Sequence, residues 1–341
     1  MVFQVKLLKS GNEFSVDDSE TVLDAALRHG FVIPYSCRSG SCGSCKSRVV
    51  SGRIDYGDYE GGILTDSDHA GGVALLCQAR PLSDLVVDAR EVPVSQEIEI
   101  MLLPCRVSRL EKLNHDVMLM SLKLPQNKRF SWLAGQYIDI LLRDGRRRSF
   151  SLAAAPTEGE DLELHIRQVP GGYFTNQVFN GMKERDLLRF QGPLGTFFLR
   201  EGSEKPVIFV AGGTGFAPIK AIIEMAIRNN IERPMHLFWG VRTRRDLYLD
   251  DLPRQWAEQH RQIEYTPVLS EEEVAQDWPG KSGWVHEAVL EQYPDLSGHE
   301  VYMSGPPPMI DAGSAAFLQH GLPDECLYFD SFEFAADVPQ G

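Results

Sequence analysis

Apolar and polar residues alternate at the start of the chain, in FQVKLL at 3–8 and, after a turn at SGN, in FSV at 14–16. That period of two predicts half-buried strands. SETVLDAALRHG then switches to helical spacing, with Val22, Leu23, Ala26 and Leu27 recurring on one side. Ser19 is the expected N-cap and Gly30 the expected stop. A polar, cysteine-bearing stretch follows, then SRVVSG at 47–52, polar GDYEGG at 57–62, GGVALLCQAR at 71–80 and LVVDA at 85–89.

Past a stretch with the proline and charge of a linker, six β-type runs alternate with turns. They are CRVSRL at 105–110, VMLMSLKL at 117–124, YIDILL at 137–142, RSFSLA at 148–153, LELHIRQV at 162–169 and LLRFQG at 187–192. This spacing predicts an antiparallel barrel or sandwich. From Pro206 the rhythm changes to strand, glycine turn and long helix in PVIFVAGGTGFAPIKAIIEMAIRNN. MHLFWGVRT, IEYTPVLS and HEVYMSGPP are further strand candidates, with helical segments between them, the βαβ pattern of a parallel sheet. No internal repeat is visible. The organisation expected is a first domain over 1–93, a linker over 94–103, a β-barrel domain over 104–202 and an α/β domain over 203–341.

A chain of 341 residues is too long for one core, which agrees with several domains. No apolar run approaches the roughly 18 residues that cross a bilayer, and the alternating N-terminus lacks a signal peptide's apolar region. A cytoplasmic protein is expected, as a monomer or weak oligomer, with its six cysteines as thiols or metal ligands rather than disulfides. The net charge of −14 argues against nucleic acid or an anionic membrane as partner. Lys and Arg number 9 against 13 Asp and Glu over residues 1–95, 15 against 10 over 104–200, and 10 against 23 over 201–341. A basic middle between acidic ends suits an anionic cofactor and an acidic neighbour; scattered solvated charge is the alternative.

Half the cysteines lie in SCRSGSCGSCKS at 36–47, as Cys37, Cys42 and Cys45, and a fourth, Cys77, follows 31 intervening residues after Cys45. C-x4-C-x2-C…C is the spacing of plant-type [2Fe–2S] ferredoxins, whose four thiolates hold two irons. Gly40 and Gly43 permit close approach of the backbone, and their amides can donate to cluster sulfur. A structural zinc site would want two comparable ligand pairs, and no second CxxC or HxxxH is present. Cys105 and Cys326 lie outside the pattern and are expected to be buried thiols.

A flavin needs an arginine for its pyrophosphate, an aromatic face against its ring and a hydroxyl near its reactive nitrogen. Arg148, Phe150 and Ser151 supply these in order, with Ser149 between them; a polar turn after DGR is the competing reading. HIRQVPGGYFTN adds His165, Arg167, Gly172 and Thr175, a glycine turn opening a helix where a second phosphate contact fits. In VIFVAGGTGFAP a buried strand runs into Gly212, Gly213, Thr214 and Gly215, with Pro218 in the first helical turn. This is not G-x-G-x-x-G, yet it offers a pyrophosphate the same close approach; a tight strand–helix turn is the alternative. YMSGPPPM places Ser304, Gly305 and Pro306 at a strand end where a nicotinamide could lie.

These signals, in this order, resemble reductases in which a plant-type ferredoxin is fused to a ferredoxin–NADP reductase-like module. Reductases of multicomponent oxygenases share the layout, and the CDP-6-deoxy-Δ3,4-glucoseen reductases, partners of a pyridoxamine-dependent dehydrase, are the most similar. YSCRSGSCGSCKSRVVSG, LAGQYIDI, RRRSFSLA, LELHIRQV, GPLGTFF, VAGGTGFAPIK and HEAVLEQYPDLS carry the likeness over essentially the whole chain. The resemblance implies a β-grasp [2Fe–2S] domain, an antiparallel barrel for FAD and a parallel-sheet domain for NADH or NADPH. It implies that Cys37, Cys42, Cys45 and Cys77 ligate the cluster, that Arg148, Phe150, Ser151, Arg167 and Thr175 contact FAD, and that Gly212, Thr214 and Gly215 cradle the dinucleotide. Asp330 and Phe332, near the C-terminus, would sit by the flavin. Ser304 stands where many relatives have cysteine, and Phe150 where they often have tyrosine. Arg242, Arg244 and Arg245 could hold a 2′-phosphate, but Asp246 and Asp250 oppose one, so NADH is expected. Electrons would pass from NADH to FAD, to the cluster and on to a dehydrase or an oxygenase. A flavin-free iron–sulfur sensor or docking module is the remaining alternative. No Ser-His-Asp or paired-carboxylate constellation is evident, and the nine histidines show no ligand spacing.

Overall fold

The computed structural model describes residues 1–93, 98–157, 159, 161–271, 278 and 280–333, and divides into two compact units, 1–98 and 99–341. The first contains β1 (Val2–Leu7), β2 (Glu13–Asp17), α1 (Val22–Arg28), β3 (Lys46–Ser51), β4 (Ile54–Asp55), α2 (Asp66–Ala70), β5 (Val73–Leu75), β6 (Arg80–Pro81) and β7 (Leu85–Asp88). Its five-stranded sheet runs β2-β1-β7-β3-β5, with β1 parallel to β7 and antiparallel to β2. This is the β-grasp arrangement. The opening alternation buries Val5, Leu7, Phe14 and Val16, and α1 contributes Val22, Leu23, Ala25 and Ala26. Thr21, not Ser19, caps α1: its hydroxyl accepts from Asp24 N at 3.1 Å, whereas Ser19 turns back to Asp17. Gly30 follows the helix with φ +80°, as a stop requires.

The second unit starts with β8 (Met101–Lys112), β9 (Val117–Lys123), β10 (Tyr137–Leu141), β11 (Arg147–Ser151), β12 (Leu162–Arg167), α3 (Tyr173–Asn180) and β13 (Leu187–Leu194). Of the stretch expected as linker, 94–97 lie outside the described residues and 101–103 already belong to β8. The six strands pair antiparallel in the order β11-β10-β13-β8-β9-β12, and a bridge between Leu152 and Leu164 joins the two ends into a barrel. Ile138, Ile140, Leu164, Ile166 and Phe190 fill it.

Next come β14 (Val207–Gly212), α4 (Phe216–Arg228), β15 (Met235–Val241), α5 (Asp251–Gln259), β16 (Ile263–Leu269), β17 (Lys281–Ser282), α6 (Val285–Gln292), β18 (Glu300–Gly305), α7 (Pro307–Gln319) and β19 (Leu327–Ser331). All neighbours in this sheet are parallel, ordered β17-β16-β15-β14-β18-β19. Every residue of β14 is buried, as a central parallel strand demands. Its side chains divide by period two: Val207, Phe209 and Ala211 enter one core, Ile208 and Val210 the other. The chain leaves β14 toward β15 and returns to its other side at β18. That reversal opens a crevice at the carboxyl ends of β14 and β18, where open α/β sheets bind ligands.

His236 on β15 is buried, with its ring nitrogens 2.9 Å from the Tyr293 and Thr266 hydroxyls. Burial lowers its pKa from 6.5 to about 4. Between those values the unfolded chain binds more protons than the folded one, so stability is full above about pH 6.5 and falls as pH drops toward 4. The loss amounts to about 3 kcal/mol from this group. Urea melts at pH 7, 5.5 and 4.5 should show the fall, and His236→Gln should flatten it; an unchanged slope in the variant would refute the assignment.

Candidate functional site

In the first unit the segment after α1 turns on Gly40 and Gly43, at φ +80° and +75°, with Arg38 also at positive φ. At Gly40 a side chain is excluded, since an added Cβ would lie 2.9 Å from Tyr59 Cβ and 3.0 Å from Asp58 O. Arg38 is anchored by Asp24 at 2.5 Å, and Gln78 donates to Arg38 O at 3.1 Å. These contacts bring the Cys77 strand end against the loop.

The four thiols lie as two mutually perturbing pairs, Cys37 with Cys42 and Cys45 with Cys77. Within the first pair the Cys42 contact draws the Cys37 thiol down to about 4, while Cys42 itself is pushed up by Cys37 and by burial. Ser39 N approaches Cys37 Sγ at 3.4 Å, and Gln78 Nε2 lies 3.7 Å from Cys77 Sγ. Among the described residues no three Cys, His, Asp or Glu side chains gather as a site for one metal ion. Two pairs beside one another fit a two-iron cluster, which takes two thiolates per iron, better than a single zinc. Cys105 and Cys326 belong to the second unit and are buried; burial pushes Cys105 up to about 12.

In the second unit the crevice collects residues from four strand ends. Ser151, closing β11, donates to Asp330 Oδ2 at 3.3 Å, and Asp330 on β19 is the lateral partner of Ser304 on β18. All three are buried, and among the described residues the Ser304 hydroxyl has no hydrogen-bond partner. Phe332, just past β19, donates its N–H to Gly305 O at 2.9 Å. The four residues expected to be catalytic thus share one place.

The glycines there are set partly by each other. A Cβ at Gly215 would stand 1.9 Å from Ser304 O, and one at Gly212 would stand 2.6 Å from Met309 Sδ and 2.8 Å from Pro306 Cδ. The 212–215 turn packs directly on the 304–306 turn. Trp239, which the apolar run MHLFWGV gave no means of singling out, stacks on Phe216 at 4.0 Å and donates to Gly213 O at 2.9 Å. Thr214 lies in the short turn between Gly213 and Gly215, and Pro218 is buried in the first turn of α4.

Arg148 and Phe150 alternate with Ser149, and the pleat separates them. Arg148 and Phe150 are half-buried, with Phe150 against Phe174; Ser149 faces the other way and donates to Asp139 at 2.6 Å. Ser149 shares its face of the strand with Ser151, two positions on, and its hydroxyl is engaged by Asp139. His165 leaves the candidate cofactor face: its ring is fully buried, 3.1 Å from Glu163 and 3.0 Å from the Tyr248 hydroxyl. Arg167 pairs with Asp116 at 2.8 Å and borders Gly213. The Thr175 hydroxyl closes its own turn by accepting from Val169 N at 3.2 Å, while Gly172 caps α3 without a side chain. Arg242 is exposed and ion-paired with Glu271 at 3.4 Å. Asp246 and Asp250, expected to oppose a 2′-phosphate, are engaged elsewhere, with Thr243 and with Tyr265 and Arg254.

Three family models match in chain order: a 2Fe-2S iron-sulfur cluster binding domain over 5–82, an oxidoreductase FAD-binding domain over 104–199 and an oxidoreductase NAD-binding domain over 209–314. The CDP-6-deoxy-L-threo-D-glycero-4-hexulose-3-dehydrase reductase of Yersinia pestis is 42% identical over 97% of this chain and 99% of its own. The chain belongs to the ferredoxin-fused FAD/NAD(P)H reductases. This reductase is also 34% identical to the reductase component of phenol 2-monooxygenase from a Pseudomonas, over 99% of this chain and 96% of that one. The crystal structure of an Amycolatopsis cytochrome P450 reductase covers 97% of the reductase and 98% of its own chain, with TM-score 0.79 and 33% identity. The reductase is an oxidoreductase with a [2Fe–2S] cluster, FAD and a nicotinamide nucleotide as cofactors. Among its described residues no helix is long and apolar enough to cross a membrane.

Proposed function

We propose that the reductase works in the cytoplasm and delivers single electrons from NADH to a pyridoxamine-dependent dehydrase acting on a nucleotide-linked deoxyhexulose. The observation that carries this reading is the 42% identity along the full length to a reductase named for such a dehydrase. When bound, FAD takes a hydride equivalent from reduced nicotinamide and releases electrons one at a time, which a [2Fe–2S] cluster can relay. Cys37, Cys42, Cys45 and Cys77 would hold the cluster, their thiols lying as the pairs Cys37–Cys42 and Cys45–Cys77. Arg148 and Arg167 would bind phosphate, Phe150 would lie against the flavin ring, and Phe332 would cover the site from the C-terminal side. Ser151, hydrogen-bonded to Asp330, holds a proton at its Oγ within the buried crevice. Ser304, whose hydroxyl has no hydrogen-bond partner among the described residues, would shape the nicotinamide side.

NADH is favoured because the Glu271 carboxylate neutralises the exposed Arg242 and would itself repel a 2′-phosphate. A second reading, delivery to a hydroxylase, draws on the 34% identity to the phenol 2-monooxygenase reductase component. Purified holoprotein, given NADH or NADPH, should support substrate turnover by a purified dehydrase of this class and not by a phenol hydroxylase, with NADH the better donor. Turnover of the hydroxylase alone would replace the first reading with the second.

A further inference from the structure

The segment Ala153–Thr157 continues β11, the strand of the proposed flavin contacts, yet it is irregular and pairs its backbone only in part with other strands. Its polar groups need partners, and α4 supplies them from residues four apart. Lys220 Nζ donates to Ala153 O at 2.9 Å. Glu224 Oε2 accepts from Ala155 N at 3.3 Å. Arg228 donates to Pro156 O and, at 3.0 Å, to the Thr157 hydroxyl. A spacing of four places the three on one helix face, over about 12 Å.

The stripe is tied inward as well. Lys220 is buried and also reaches Glu224 at 2.8 Å and Glu163 of β12 at 3.1 Å. With Ala153 O these occupy all three ammonium donors. Burial would raise Glu163, but the His165 hydrogen bond and the Lys220 charge outweigh it and hold the carboxyl at about 2. His165 then connects Glu163 to Tyr248, which lies in the stretch after β15. One buried cation thus links the segment leaving β11, β12 and the helix that starts from the 212–215 turn.

We propose that Lys220, Glu224 and Arg228 form a positioning device that fixes the 212–215 turn relative to the β11 strand, and so sets nicotinamide against flavin for hydride transfer. The inference rests on the functional reading above and adds residues outside its contacts. Misplacement of about 1 Å away from the chemistry can cost on the order of 100-fold in rate.

The test uses FAD-loaded Lys220→Met and the milder, more exposed Arg228→Ala. Wild-type flavin must first be reduced by NADH in stopped flow; its failure would strike the functional reading and leave the stripe unjudged as a cause. Given that control, Lys220→Met should keep its FAD and its NADH Kd within about threefold while flavin reduction slows roughly 10- to 100-fold. Lys220→Arg should recover part of the rate, Arg228→Ala should slow it less, and hydrogen exchange over 153–157 should quicken in both loss variants. Normal reduction rates with faster exchange would make the stripe merely structural and overturn the proposal. So would a Lys220→Met that fails to fold alongside an Arg228→Ala with wild-type exchange and rate.

Discussion

Cys42→Ala is expected to abolish reduction of a one-electron protein acceptor such as cytochrome c, by more than about 100-fold, while NADH-dependent ferricyanide reduction at the flavin persists. Cys42 lies against Cys37, and under the ligation proposed above its removal would leave one iron with a single protein thiolate. The second unit has its own barrel core and contributes none of these four thiols, so flavin chemistry should survive. Visible absorption of the cluster should fall with the protein-acceptor activity. Simultaneous loss of ferricyanide reduction, with FAD still bound, would show that the electron order proposed above is wrong.

The second large effect is expected at Gly215. Its φ of −58° is open to any residue, so alanine would not strain the backbone. The obstacle is Ser304 O, 1.9 Å from where a Cβ would stand, with Gly305 N at 2.9 Å. Neither is the far end of a flexible side chain, so two turns must separate or α4 must shift. Gly215→Ala should cost at least about 2–3 kcal/mol in urea melts. Reduction of the bound flavin by NADH should slow by about 100-fold, since the same two turns flank the crevice. Gly298→Ala is the control: among the described residues nothing lies within 4 Å of its added Cβ, and stability should stay within about 0.5 kcal/mol. Equal behaviour of the two variants would remove the turn-on-turn contact as a determinant.

Local signals were legible wherever a residue's neighbours in sequence are also its partners in space. The six alternating runs became the six barrel strands, and the uniformly apolar VIFVAG became the central strand β14. The cap of α1 was misread by two positions because Ser19 and Thr21 are both good cap residues, and only the backbone decides which hydroxyl reaches the Asp24 amide. Motif membership alone places Ser149 and His165 among the candidate site residues; in the folded chain Asp139 engages the Ser149 hydroxyl, and Glu163 with Tyr248 enclose the His165 ring.

By itself the sequence determined the order of the three domains, the spacing of the cysteine loop and the residue types at each strand end, because these follow from periodicity and short-range chemistry. Tertiary structure alone decided which thiols pair, that Ser151 meets Asp330 across 179 positions, and that Gly215 is required by Ser304 rather than by its own conformation. It alone showed a lysine inside APIKAI fastening α4 to the segment beyond β11. Such contacts join residues far apart in the chain, and no local pattern encodes the distance between them once the chain has folded.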